Sequence, residues 1–85
     1  MPNVVIVDDQ STDRHILAQL IGNLGEDTRV EAFEDPFAAL EWLRGNQPDL
    51  ILADYRMPGM DGIAFLRECG RIPSCSGIPS VVITV

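Results

Sequence analysis

The sequence predicts an α/β domain: a doubly wound parallel sheet with helices on both faces. Two observations carry that expectation. Residues 3–7, 50–53 and 80–85 are short β-branched or aliphatic runs that do not alternate with polar residues, the pattern of strands covered on both faces. Between the strands, apolar residues recur at helical spacing. The order is therefore β-α-β-α-β-α-β, and strands that return through a helix lie parallel.

Each element has its own warrant. The first strand stops at Asp8-Asp9. Residues 12–24 form a helix with Ile16, Leu17, Leu20, Ile21 and Leu24 on its apolar side, Ser11 or Thr12 as its cap and Gly25 as its end. Residues 29–33 alternate like a strand with one more exposed face. Asp35 then caps a helix with Pro36 at its first position. Phe37, Leu40 and Leu43 make the apolar stripe of that helix and Gly45 ends it. Residues 50–53 are a buried strand ending on Asp54, and Asp61 caps a short helix through Ile63, Leu66 and Cys69, closed by Gly70. A loop rich in glycine, proline and serine leads to the last strand, residues 80–85, which also reads as buried. There is no internal repeat, low-complexity tract or linker, so residues 1–85 are read as one domain.

Composition excludes several functions. The 85 residues carry six basic side chains, all arginine, against thirteen acidic ones, for a net charge of −7. Such a chain lacks the basic patch that contacts nucleic-acid phosphates, and without lysine it cannot form a lysine Schiff base. The apolar fraction of 46% suits a folded core. No run approaches the roughly 18–20 apolar residues that span a bilayer, and Met1 is not followed by the basic and long apolar regions of a signal peptide. Cys69 and Cys75 have neither a disulfide-framework nor a zinc spacing and read as free thiols of a cytoplasmic protein.

In an open parallel sheet, ligands bind beyond the carboxyl ends of the strands. Asp8 and Asp9 stand at the end of the first strand, Asp54 at the end of the third and Thr84 near the end of the fourth. Taken singly, each aspartate reads as a cap or a turn residue. Together they repel one another, which raises at least one carboxyl pKa unless a cation is bound. All-oxygen ligation suits Mg²⁺, and the lone His15, read as a surface residue, argues against zinc or copper. Trp42 is expected to pack or half-pack on the second helix, and Met57 and Met60 to pack the loop after Asp54.

The run from Pro48 through Asp54-Tyr55-Arg56-Met57-Pro58-Gly59-Met60-Asp61-Gly62 closely resembles the phosphoacceptor segment of response-regulator receiver domains of two-component signalling. Val4-Val5-Ile6-Val7-Asp8-Asp9-Gln10 and Ile78-Pro79-Ser80-Val81-Val82-Ile83-Thr84 resemble the same family, in the right order. The resemblance implies a flavodoxin-like sheet with strand order 2-1-3-4. It also implies that Asp54 accepts a phosphoryl group from a phosphohistidine of a sensor histidine kinase. Asp9 would bind Mg²⁺ directly, Asp8 mainly through water, and the backbone carbonyl of Arg56 would add a ligand, with Asp54 itself at the metal. Thr84 would hydrogen-bond the phosphoryl group. At Arg56, two residues after the phosphoacceptor, two readings stand open: a side chain that pairs with phosphate, or a solvated loop arginine.

The resemblance also implies a further helix, a lysine-bearing fifth strand and a last helix after Thr84. This chain has no lysine, so it reads as a partial receiver. Residues 80–85 are then expected to be an exposed edge, giving either a fragment of a longer regulator or a self-associating homodimer or oligomer. Two other functions compete with this reading. A haloacid-dehalogenase-type phosphatase needs a second aspartate where Arg56 stands. A truncated receiver could serve only as a dimerisation module. Asp8-Asp9-Gln10-Ser11-Thr12, the segment 33–43 and the Thr84-Val85 ending resemble regulators that carry an HD-GYP cyclic-di-GMP phosphodiesterase domain.

Overall fold

Val4, Val5, Ile6 and Val7 are stiff at χ1 and fit the pleated, two-sided interior of a sheet. In the computed structural model, which describes residues 2–23 and 27–84, they form most of β1 (Asn3–Val7). α1 (Ser11–Gly22), β2 (Arg29–Phe33), α2 (Pro36–Leu43), β3 (Leu50–Asp54), α3 (Gly62–Cys69) and β4 (Ser80–Ile83) follow. The four strands are parallel in the order β2-β1-β3-β4, as the family resemblance implied.

That order dictates the layers. The chain steps from β1 outward to β2, then doubles back across β1 to β3 and on to β4. Right-handed crossovers therefore place α1 on one face and the later helices on the other. The side chains obey the same division. Val4, Ile6 and Leu52 face a cluster with Leu17, Ala18 and Ile21 of α1. Val5, Val7, Ile51 and Ala53 face Ala39, Leu40 and Leu43 of α2 and Phe65 and Cys69 of α3. Trp42 is half-buried and meets Phe33 with ring centroids 5.9 Å apart, and Met57 is buried in the second cluster with Met60 packed against it, all as expected.

Several local expectations are corrected. α1 opens after Gln10, whose side chain makes no capping hydrogen bond, so neither Ser11 nor Thr12 is the N-cap. Leu24 and Gly25 lie outside the described residues. Ile16 and Leu20 are exposed, because α1 alone covers its face of the sheet and touches it through a narrow stripe. Phe37 is 54% exposed, and Pro36 and Ala39 turn inward instead. In α3, Ile63 is exposed while Phe65 is fully buried, one turn from the buried Cys69. Asp35 and Asp61 do cap their helices, accepting from Phe37 N at 2.9 Å and from Ala64 N at 2.8 Å.

The loop after α3 holds a short 3₁₀ turn, Pro73–Cys75, that buries Cys75 beneath the α2 end, where Ser74 Oγ donates to Leu43 O at 2.8 Å. Both cysteines are free and buried. β4 is shorter and more open than a buried strand. Ser80 and Val81 are exposed and Val82 and Ile83 half-buried, because among the described residues β4 pairs only with β3. Val85 lies outside the described residues. Among the described residues, no helix is long and apolar enough to cross a membrane.

Candidate functional site

The winding direction reverses between β1 and β3, which leaves a crevice beyond their carboxyl ends. β1 pairs with β3 from Val4↔Leu50 to Val7↔Ala53, so Asp8 and Asp54 emerge side by side, and Asp9 follows where the chain leaves the sheet. A carboxylate oxygen from each of Asp8, Asp9 and Asp54 lies within 4.8 Å of the other two. Residues remote in sequence thus converge by topology alone.

A cleft of about 460 Å³ opens beside them. Asp9, Asp54, Arg56 and Thr84 line it, as do Gln10, Asp13 and Tyr55, three residues beyond the candidates named from sequence. Asp13 carried a usable signal: it is an acidic residue in the first turn of the helix that follows Asp8-Asp9. Tyr55 and Gln10 carried none, since each is placed by its neighbour. Asp8 is set back from this cleft and shares a smaller apolar-sided recess with Asp13, Ile16, Leu17, Asp54 and Ile83. Thr84 follows directly on β4, whose register sets Ile83 opposite Asp54, and Tyr55 N donates to Ile83 O at 2.9 Å.

The electrostatics single out Asp8. It is 4% exposed. Burial pushes its carboxyl above the ordinary value, and the Asp54, Asp13 and Asp9 charges add to the rise, while a hydrogen bond from Gln10 N to Oδ1 at 2.9 Å opposes it. Mutual repulsion among the aspartates accounts for only part of this rise; desolvation is the larger cause.

Backbone geometry braces Asp54. An added Cβ at Gly62 would sit 2.6 Å from Asp54 O and 3.1 Å from Tyr55 Cα, so only glycine lets α3 begin this close to β3. Gly62 N donates to Tyr55 O at 2.9 Å. Gly59, at φ 81°, turns the loop between them, and an added Cβ there would meet the Phe37 ring at 3.4 Å.

The donor set fits a hard divalent cation. It is all carboxylate, with one oxygen from each of the three aspartates within 4.8 Å of the others, and partly buried, and the buried Asp8 charge gains a compensating partner if a cation binds.

Comparison with known proteins agrees with this picture. The chain is 46% identical over 83 residues to the cyclic di-GMP phosphodiesterase response regulator RpfG of Xanthomonas campestris pv. campestris; the match covers 98% of this chain and 22% of that protein. The signal receiver domain of a signal transduction histidine kinase from Syntrophus aciditrophicus superimposes with a TM-score of 0.89 at 29% identity, covering all of this chain and 63% of that one. The chemotaxis response regulator CheY4 of Vibrio cholerae gives 0.88 at 26% identity, over 96% of this chain and 67% of that one. The chain thus spans about a fifth of the curated relative and about two thirds of these solved chains. The family model described as the response regulator receiver domain matches residues 4–85, and with its four strands, its switch-point carboxylates and that match, the chain belongs to the response regulator receiver domain family.

Proposed function

We propose that this domain is the phosphoacceptor of a two-component response regulator and that Asp54 is the residue modified. The observation that carries the reading is the convergence of Asp8, Asp9 and Asp54 at the β1/β3 switch point. A carboxylate oxygen of Asp54 attacks the phosphorus of a sensor-kinase phosphohistidine. The P–N bond breaks, the imidazole nitrogen keeps its electron pair and takes a proton, and an aspartyl phosphate forms. The chain is then a self-modifying acceptor rather than a turnover enzyme.

Asp9, Asp54 and the backbone carbonyl of Arg56 would hold Mg²⁺ directly, with Asp8 acting through water. When bound, the ion neutralises charge on the transferring phosphoryl group. The protein's own part is positioning. Gly62 lets α3 brace the Asp54 backbone, Thr84 offers its hydroxyl across the cleft from Asp54, and the Arg56 side chain, exposed at the rim, pairs with phosphate oxygen.

The partner is a sensor histidine kinase, in the cytoplasm, with no nucleic-acid or membrane role for this domain. The similarity to RpfG supports a cyclic-di-GMP phosphodiesterase output in the native regulator. A second reading, a receiver that serves only as a dimerisation module, is favoured by the open outer edge of β4.

Acetyl phosphate with Mg²⁺, followed by intact-mass measurement, separates the two readings. One phosphoryl adduct is expected on the wild type and none on Asp54→Asn. Beryllofluoride with Mg²⁺ should shift the amides of Asp54 and Thr84; silence in both experiments would leave the interaction module.

A further inference from the structure

We infer that Arg14 is a positioning residue for the acidic pocket. From the first turn of α1 its guanidinium holds the turn that presents Asp8 and Asp9. The inference rests on the reading of those aspartates as the Mg²⁺ pocket.

β1 ends at Val7, so the carbonyl of Asp8 points out of the strand ladder and needs a partner. Arg14 Nη1 donates to it at 2.8 Å. Nη2 of the same guanidinium pairs with Glu34 Oε2 at 3.5 Å, just past the end of β2. The Arg14 side chain is only 18% exposed, whereas Glu34 is 73% exposed. One planar fork therefore ties the ends of β1 and β2 to the start of α1, a geometry that a single ammonium cannot reproduce in full.

The tie acts where little else does. α1 has no side-chain N-cap at Gln10, and the Asp8–Gln10 turn is otherwise held by Asp8 N donating to Phe33 O at 3.0 Å, Gln10 N to Asp8 Oδ1 at 2.9 Å and Arg14 N to Gln10 O at 3.0 Å. Without the guanidinium, the Asp8 carbonyl loses the hydrogen bond from Arg14 and the turn carrying Asp9 is free to swing.

Charge and positioning make opposite predictions. Deleting a cation beside an acidic pocket strengthens Mg²⁺ binding by Coulomb's law. Loosening the ligand turn weakens it. The test is calorimetric Mg²⁺ titration of the 85-residue chain as wild type, Arg14→Gln and Arg14→Lys, with amide hydrogen exchange of the metal-free proteins. In Arg14→Gln the Mg²⁺ dissociation constant should rise roughly tenfold, as for other partners that orient metal ligands. The Gln10 amide should exchange faster while Val5 and Ile6 keep their protection, and Arg14→Lys should recover part of both effects. Tighter or unchanged Mg²⁺ binding in Arg14→Gln, or an unchanged Gln10 amide, overturns the inference. If Arg14→Gln does not fold, Glu34→Gln releases one arm of the fork and should speed Gln10 exchange to a smaller degree; no change there overturns it equally. A wild type that ignores Mg²⁺ would instead overturn the metal reading, with the Gln10 amide still deciding the role of Arg14.

Discussion

At Asp8, stability and the proposed Mg²⁺ binding pull against each other. Its carboxylate is buried beside two others, and without a cation the ionised form is disfavoured. The folded chain therefore holds the Asp8 proton to a higher pH than the unfolded chain, and metal-free stability falls as pH rises above the ordinary 3.8. Asp8→Asn keeps an oxygen to accept from Gln10 N and removes the charge. At neutral pH, without Mg²⁺, it should raise the melting temperature by about 4–8 °C, the equivalent of roughly 1 kcal/mol in a domain of this size. The gain should vanish in acid, where wild-type Asp8 is neutral too. With saturating Mg²⁺ the order should reverse, since only the wild type is fully stabilised by binding; calorimetric melts at two pH values with and without Mg²⁺ check all three signs. The two buried thiols pack in the core cluster beneath α2 and α3. Burial pushes Cys69 up to about 12 and raises Cys75 as well, which leaves both poor nucleophiles.

Among the elements, the β3–α3 junction is the one that controls the site. Asp54 ends β3 and Asp61 caps α3, so a loop of six residues, 55–60, must reverse the chain within a few ångströms. Gly62 makes that approach possible. Gly62→Ala should cost about 1–3 kcal/mol, as overpacking does, read as a lower urea midpoint. It should also shift the Asp54 and Tyr55 amide resonances, which a remote destabilisation would leave alone. The junction was visible in the sequence only as the Asp61-Gly62 pair at the end of a motif; the reason for the glycine needed the backbone of β3 beside it. The helix faces tell a similar story. Helical spacing identified α1, α2 and α3, but not which of Ile16, Phe37, Ile63 or Phe65 is buried. That choice depends on how each axis lies over the sheet, and spacing along one helix does not contain it.

At the scale of the whole sheet, the outer edge of β4 is unpaired among the described residues. Val81 is 48% exposed, and among the described residues the strand pairs only with β3. An edge with unpaired backbone and apolar side chains recruits other strands. The 85-residue chain should therefore self-associate with rising concentration in sedimentation equilibrium, and Val81→Lys should shift it toward monomer. A wild type that stays monomeric at high concentration would show the edge to be silent. The net charge of −7 opposes such association at low salt and favours a cation in the pocket.

The amino-acid order was enough to establish the alternation of strands and helices, the capping aspartates and the identity of the residues at the strand ends. These are local properties, set by the pleat, the helical turn and the chemistry of single side chains. The family resemblance added the strand order. Which carboxylate is buried, why Gly62 cannot bear a side chain, and how Arg14 reaches both Asp8 and Glu34 arise only in the folded chain. They depend on crossovers that bring β1, β2 and β3 side by side, and contacts between residues so far apart in the chain leave no periodic trace in its sequence.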